Sequence, residues 1–374
     1  MDYIKLFTRV LQNNDGVRVT SWIFGIIAIG FNLMIIMRMI YYNERCRLFQ
    51  WNTRHHGLNL NPSFSLLLFN LALSDFIGGC YLVILGISDA TFIIPQNITN
   101  ISYLKNFQSV DIWITSPTCM VLRLLAQTSL LTSILMTLMI TIERYLAVFY
   151  VNVSRYRISI FRTKVIIAIF WLIGIIFAIA GAVDSYFVAS TKLYHYSILG
   201  HLCQLEGSST FIVTVLTYLD MAVGIAVNVA IAILYIAIAV RLKKQRQILQ
   251  GRKLSVERNV QVITAWIIIT NVITWIPVTL WVIIQRAATP IELNDRDNAI
   301  LPILVIMLYC NCALNPVIYI TMATPINARL QALFAQKTEV TPIHSRENMN
   351  TLAISSTFIP KTIVSDNEKT PSLA

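Results

Sequence analysis

The sequence predicts an all-α fold: a bundle of seven transmembrane helices followed by a short amphipathic helix. Three observations predict it. The 374 residues are 56% hydrophobic and only 13% charged, with a mean hydropathy of +0.66, whereas soluble domains carry about 25% charged residues, so a soluble globular protein is excluded. Seven stretches are apolar over the roughly 20 residues that a helix needs to cross a hydrocarbon core of about 30 Å. Lys and Arg gather in every second connection between those stretches.

In chain order the spans lie at Ser21 to Tyr42, Ser63 to Ser88, Pro117 to Tyr150, Val165 to Phe187, Ser209 to Val240, Val260 to Gln285 and Ala299 to Met322. Each must be helical, because lipid leaves no partner for an unpaired backbone group. The first begins about 20 residues from the start and lacks a persuasive cleavage site, so it reads as a retained signal anchor after a short segment, 1–20. The second carries Asp75 halfway along, and the third ends on Glu143 and Arg144. The fourth holds Trp171, and the fifth holds Asp220 in its first half. In the sixth, Pro277 removes a backbone hydrogen bond and bends the helix, so a small motion near Trp275 becomes a larger swing at the far end. No internal repeat is detected.

Charge sets the orientation, since short cytoplasmic loops carry the excess of Lys and Arg. The first connection holds Arg45, Arg47 and Arg54, the third Arg155, Arg157, Arg162 and Lys164, and the fifth Arg241, Lys243, Lys244, Arg246, Arg252, Lys253 and Arg258. The second, fourth and sixth hold Lys105, Lys192, Arg286 and Arg296 against Asp89, Asp111, Asp184, Glu206, Glu292, Asp295 and Asp297. The N-terminus is therefore expected outside and the C-terminus inside. The net charge of +11 then reads as a topology signal with attraction to anionic membrane lipids, and not as nucleic-acid binding.

Asn97-Ile98-Thr99 and Asn100-Ile101-Ser102 are glycosylation sequons on the expected outer side, whereas Asn152-Val153-Ser154 faces the cytoplasm. Cys119 and Cys203 share the oxidising side, where a bridge can persist, free thiols being the alternative. No Cys-x-x-Cys spacing supports a zinc or dithiol site, and His55-His56 reads as a solvated pair in a basic loop. Ionisable groups within spans are costly and so mark function by default; they are Asp75, Arg123, Glu143, Arg144 and Asp220.

Glu143-Arg144-Tyr145 at the end of the third span, Trp275-Ile276-Pro277 in the sixth and Asn315-Pro316-Val317-Ile318-Tyr319 in the seventh resemble the three signatures of rhodopsin-like G-protein-coupled receptors. Asn32, Leu71-Ala72-Leu73-Ser74-Asp75, Trp171 and the Cys119/Cys203 pair also fall where that family has markers. The resemblance implies a receptor domain over 21–337, an extracellular segment 1–20 and a disordered cytoplasmic tail 338–374, in the plasma membrane. It implies no reaction of the chain's own, only nucleotide exchange on a heterotrimeric G protein.

By the same resemblance, Arg144 is a latch that pairs with Glu143 and reaches Glu257, the alternative for Glu257 being a solvated loop charge. Tyr235 and Tyr319 resemble the phenols that steady Arg144 when the sixth helix opens, the alternative for Tyr235 being interfacial anchoring. Asp75, Ser133, Asn311 and Asn315 look like the family's allosteric sodium pocket, although Cys312 stands where the family has a hydroxyl. No other cofactor is implied. Asn271 replaces an aromatic residue one turn before Trp275, and Val227 stands where the fifth helix usually has proline; both departures concern the contact that sets the resting equilibrium.

Ala126 sits where amine receptors have an Asp, and Tyr309 where opsins have the Schiff-base Lys, so amines and retinal are not expected. Arg123 and Asp220 could meet a charged ligand or simply pair with polar neighbours. Tyr81 to Asp89, then Trp113-x-x-Ser116-x-x-Cys119, are similar to the serpentine part of leucine-rich-repeat hormone receptors (relaxin and glycoprotein hormones). With about 20 residues before the first span, a leucine-rich ectodomain built from repeats of about 20 to 29 residues is not expected. A short peptide is favoured, because the connection from Asp89 to Ser116 is long.

Ile326 to Lys337, with Leu330, Leu333 and Phe334 at helical spacing, reads as an amphipathic helix on the membrane. The Ser- and Thr-rich tail from Thr338 would, once phosphorylated by a receptor kinase, offer acceptors to an arrestin-like partner. Two rivals stand: an ion channel or transporter lined by the Asp75 cluster, which inverted repeats would favour, and a seven-helix decoy that binds ligand without signalling.

Overall fold

The computed structural model describes residues 11, 15–48, 62–91, 113, 116–150, 158–190, 202–204, 211–248, 254–287 and 295–323. They form α1 (Asp15–Leu48), α2 (Pro62–Thr91), α3 (Pro117–Phe149), α4 (Ile160–Ser190), α5 (Phe211–Ile248), α6 (Leu254–Ala287) and α7 (Asp295–Ala323). No strand occurs among the described residues. The chain divides into two compact units, Met1–Ile326 and Asn327–Ala374. The second lies outside the described residues, as do the amphipathic helix expected over 326–337, both sequons and His55-His56.

Six of the helices are longer than the expected spans, and α3 ends one residue earlier, at Phe149. α1 starts at Asp15 rather than Ser21, α6 at Leu254 rather than Val260, and α5 continues to Ile248 rather than Val240. Hydropathy marks only the part of a helix that lipid surrounds. Beyond it the backbone goes on pairing i to i−4, and the Arg, Lys and Gln residues that end α5 are good helix formers. Asp89, counted from the sequence as a loop charge, is likewise inside α2. Elsewhere local chemistry sets the edge: Pro117 opens α3 and Ser116 caps it, its hydroxyl accepting from the Cys119 N–H at 3.1 Å.

Among the described residues six helices contain a stretch long and apolar enough to cross a membrane, and α6 has the shorter apolar stretch Ala265–Trp281. The bundle wears its hydrocarbon outwards. Ile23, Ile26 and Met37 of α1, Leu172 and Ile176 of α4, and Ile233 and Ile236 of α5 are exposed, while Asn32, Asp75, Ser129, Ser133, Asn271, Asn311 and Asn315 are buried. Lipid accepts the first set and rejects the second. α3 is the central strut: 72% of its most apolar stretch is buried, against 17% for α1.

Polar side chains pin the helices across the core. Asn32 donates to the Cys312 carbonyl at 2.9 Å, Trp171 Nε1 to Asn70 Oδ1 at 3.0 Å, and Ser129 Oγ to the Ser74 carbonyl at 2.8 Å. α2, α3 and α7 meet closely at Gly78, where an added Cβ would stand 2.6 Å from Ser129 Oγ and 2.7 Å from Cys312 Sγ. Gly78→Val is therefore expected to destabilise the purified protein by roughly 1–3 kcal/mol, the usual cost of overpacking. Thermal unfolding checks this, and an unchanged melting temperature would show that the three helices can part without loss.

Candidate functional site

α2 delivers Asp75 to the centre of the bundle, where it is fully buried. Its Oδ1 accepts from Ser133 Oγ of α3 at 2.8 Å, and its Oδ2 from Asn315 Nδ2 of α7 at 2.9 Å. The Cys312 side chain also faces it. Asn311, grouped with Asp75 from the sequence, instead donates Nδ2 to Asn271 Oδ1 of α6 at 2.7 Å. Asn271 in turn donates to the Ile267 carbonyl of its own helix at 2.9 Å, which fixes its rotamer. The residue that departs from the aromatic pattern thus supplies a hydrogen bond between α6 and α7.

The Oδ1 atoms of Asn311 and Asn315 are buried without a hydrogen-bond partner among the described residues. An acceptor oxygen left without a donor on a side chain bonded to a carboxylate, as Asn315 is to Asp75, fits a hard cation, which takes oxygen ligands and needs no proton from them. The donor set therefore suits sodium, with Cys312 the soft exception. Among the described residues no group of three or more His, Cys, Asp or Glu gathers to hold another kind of metal.

Removing the α6–α7 bond should be costly, because it strands a buried amide. Asn271→Ala is expected to destabilise by about 1–3 kcal/mol, and a double-mutant cycle with Asn311→Ala to give a coupling of about 1 kcal/mol. Additive losses in thermal unfolding would mean that the two side chains act separately.

At the far end of α3, Arg144 folds back on its neighbour. Nε and Nη2 both lie 2.6 Å from Glu143 Oε2, and the guanidinium sits 3.8 Å from the centroid of the Phe64 ring of α2. The pair is largely buried, with side-chain exposures of 14% for Arg144 and 5% for Glu143, so water screens it little. Tyr319 of α7 lies close enough to feel the Arg144 charge, and its buried hydroxyl has no partner among the described residues. Tyr235 packs elsewhere, with α3 and α6 residues such as Leu135 and Ile268. Tyr145 stacks on Phe149 at 4.3 Å, and Arg241 of α5 lies 5.7 Å from that ring. The side chain of Glu257 lies outside the described residues.

At the opposite end of the bundle residues 202–204 fold in against the helices and are buried. Cys119 is bonded to Cys203, and Cys203 takes φ 53°, a left-handed conformation that costs about 1–2 kcal/mol in a non-glycine residue. That turn sends the segment inward on both sides. The Leu202 carbonyl accepts from Tyr81 Oη at 2.7 Å, and Gln204 Nε2 donates to Tyr81 Oη at 2.9 Å and Tyr309 Oη at 3.2 Å. Leu11, Trp113, Leu122, Leu202 and Tyr309 pack into one apolar cluster there. The Leu11 N–H donates to Asp89 Oδ1 at 2.7 Å, and Arg18 pairs with Asp89 Oδ2 at 2.6 Å.

The ligand-pocket positions named from sequence lie beneath or beside this segment. Arg123, Ala126 and Tyr309 are buried, and the Gln127 amide faces Asp220. Between the two ends, Trp275 packs on both the disulfide-end cluster and the α3–α5–α6 cluster, facing Gly224 of α5, whose added Cβ would lie 3.3 Å from it. Pro277 lies within α6, and Val227 is buried against α3 and α6 residues. Sequence reasoning missed Gln204, Phe64 and Gln127. Only Gln204 carried a signal, its place next to Cys203.

A family model described as 7 transmembrane receptor (rhodopsin family) matches residues 57–319. No curated protein matches the chain.

Proposed function

The chain belongs to the rhodopsin family of seven-transmembrane receptors, and from that membership we propose that it relays an extracellular signal to a heterotrimeric G protein. The observation that carries the proposal is Arg144, held by Glu143 and laid on Phe64 at one end of the bundle. In this state the guanidinium is withdrawn. Activation releases it to the G protein, and Tyr319, whose buried hydroxyl has no partner among the described residues, gains one in the rearranged state together with Tyr235. Glu257 completes the latch on α6. The lever is α6, bent at Pro277 beside Trp275. A ligand acts by its differential affinity for the two states.

Alternate basic connections support a cytoplasmic Arg144 end and an extracellular disulfide end in the plasma membrane, with Asn97 and Asn100 available for glycosylation. At the extracellular end, Leu202 to Gln204 are buried against Tyr81 and Tyr309, which supports a peptide engaging the loops over a small amine entering the core. Asp75, Ser133 and Asn315 would hold sodium, the Asn311 amide being engaged with Asn271, and the ion would supply charge balance for Asp75 in the resting packing. The tail would take phosphate from a receptor kinase and then bind arrestin. The chain would catalyse no chemistry of its own.

Nucleotide exchange on a panel of purified G proteins, with membranes carrying the wild type or Arg144→Ala, tests the proposal. Exchange that the variant loses supports it. No exchange under any condition, with surface expression confirmed, would move the reading to a decoy. Ionic current without G protein would move it to a channel or transporter.

A further inference from the structure

We propose that a cleft between α1 and α7, near the disulfide end, binds one acyl chain of a membrane phospholipid. The cleft has a volume of about 340 Å³ and is lined by Gly16, Val17, Thr20, Phe24, Ile303, Ile306, Met307 and Cys310. It runs along roughly two turns of each helix, about 12 Å. Its two polar side chains have no hydrogen left to offer. Thr20 Oγ1 donates to the Gly16 and Val17 carbonyls at 2.7 and 3.0 Å, and Cys310 Sγ to the Ile306 carbonyl at 3.5 Å. What remains towards the space is methyl, methylene, thioether and ring.

The rim decides the occupant. Ile303 is 53% exposed, and next to Thr20 the face of α1 continues outwards as exposed Val19, Ile23 and Ile26, so the cleft is continuous with the surface that meets the bilayer. Water gains nothing in an apolar cavity, and one of about 150 Å³ already stays dry and takes benzene. An empty cleft of this size would also forfeit the dispersion contacts of its walls. Lipid hydrocarbon is the material in contact with the opening, and a flexible chain fits an irregular slot. A rigid sterol ring system would have to match the slot as a whole, whereas an acyl chain follows it bond by bond.

The site is distinct from the polar core, although Cys310 is only two residues before Cys312, whose carbonyl takes the Asn32 bond from α1. An acyl chain here would sit just outside the tether that joins the two helices. The inference rests on membrane residence and not on signalling, so loss of the receptor reading would leave it standing.

The test is photo-cross-linking of the full chain in nanodiscs of phosphatidylcholine that carries a diazirine on one acyl chain, with adducts mapped by mass spectrometry. Adducts on Gly16 to Phe24 and Ile303 to Cys310 are expected to exceed those on the exposed α4 face, Ile169, Leu172 and Ile176, at least fivefold. Cys310→Phe and Thr20→Leu, which fill the cleft from opposite walls, should each remove that excess while leaving α4 labelling as it was. Native mass spectrometry of the wild type should retain one phospholipid after detergent exchange. Equal labelling of cleft and α4 in the wild type would overturn the proposal even if both variants misfold. So would undiminished cleft labelling in folded variants, or cleft labelling by a diazirine sterol but not by the phospholipid.

Discussion

Glu143→Gln is expected to raise ligand-free nucleotide exchange about tenfold, and Arg144→Ala to abolish it. Glu143 holds Arg144 through contacts at 2.6 Å from both Nε and Nη2 to one carboxylate oxygen. A glutamine of the same shape keeps a hydrogen bond but removes the charge, and charged hydrogen bonds exceed neutral ones by about 1–1.5 kcal/mol. That difference corresponds to about tenfold in the population of released Arg144. Because the carboxylate is only 5% exposed, screening by salt takes little away. Removing the arginine deletes the group that the proposal gives to the G protein, so no gain in population can compensate. Exchange assays at matched surface expression check both, and a Glu143→Gln protein with unchanged or lowered basal exchange would eliminate Glu143 as a restraint.

Cys203→Ser is expected to destabilise the protein by roughly 2–4 kcal/mol, with Cys119→Ser and the double variant losing the same amount. The bridge joins residues 84 apart, and cutting a loop of that length restores much of the entropy that it removed from the unfolded chain. It also frees the left-handed turn at Cys203, so Gln204 withdraws from Tyr81 and Tyr309 and their hydroxyls lose their donor. Non-additivity is the diagnostic, since either single change breaks the same bond. Thermal unfolding of purified protein is the measurement. If the serine variants melt with the wild type, the Tyr81 and Gln204 hydrogen bonds alone hold the segment down.

The helices themselves were legible because membrane insertion reads a local property, about 20 apolar residues in a row. Their ends were not, since helix continues past lipid wherever Lys, Arg and Gln follow, as at the end of α5. Asp75 was legible as a functional centre because a carboxylate in an apolar helix has so few alternatives. Its partners Ser133 and Asn315 came from a resemblance, which carries geometry that spacing does not. The same route placed Asn311 with Asp75, and there the structure differs: with Asn271 instead of an aromatic ring on α6, the Asn311 amide found an acceptor on another helix.

By itself the sequence determined the class of fold, the number of spans and the few polar groups that lipid would not tolerate, all of which depend on composition within one helix. Tertiary structure alone decided which of those groups meet. A helix such as α4, apolar nearly all round, carries little signal for its rotation in the bundle, so contacts between residues far apart, such as Asn271 with Asn311, Arg144 with Phe64, or Gln204 with Tyr81 and Tyr309, follow from how seven helices and one disulfide pack together. The physical reason is that burial in lipid fixes depth, whereas only packing and hydrogen bonding fix the angle about each helix axis.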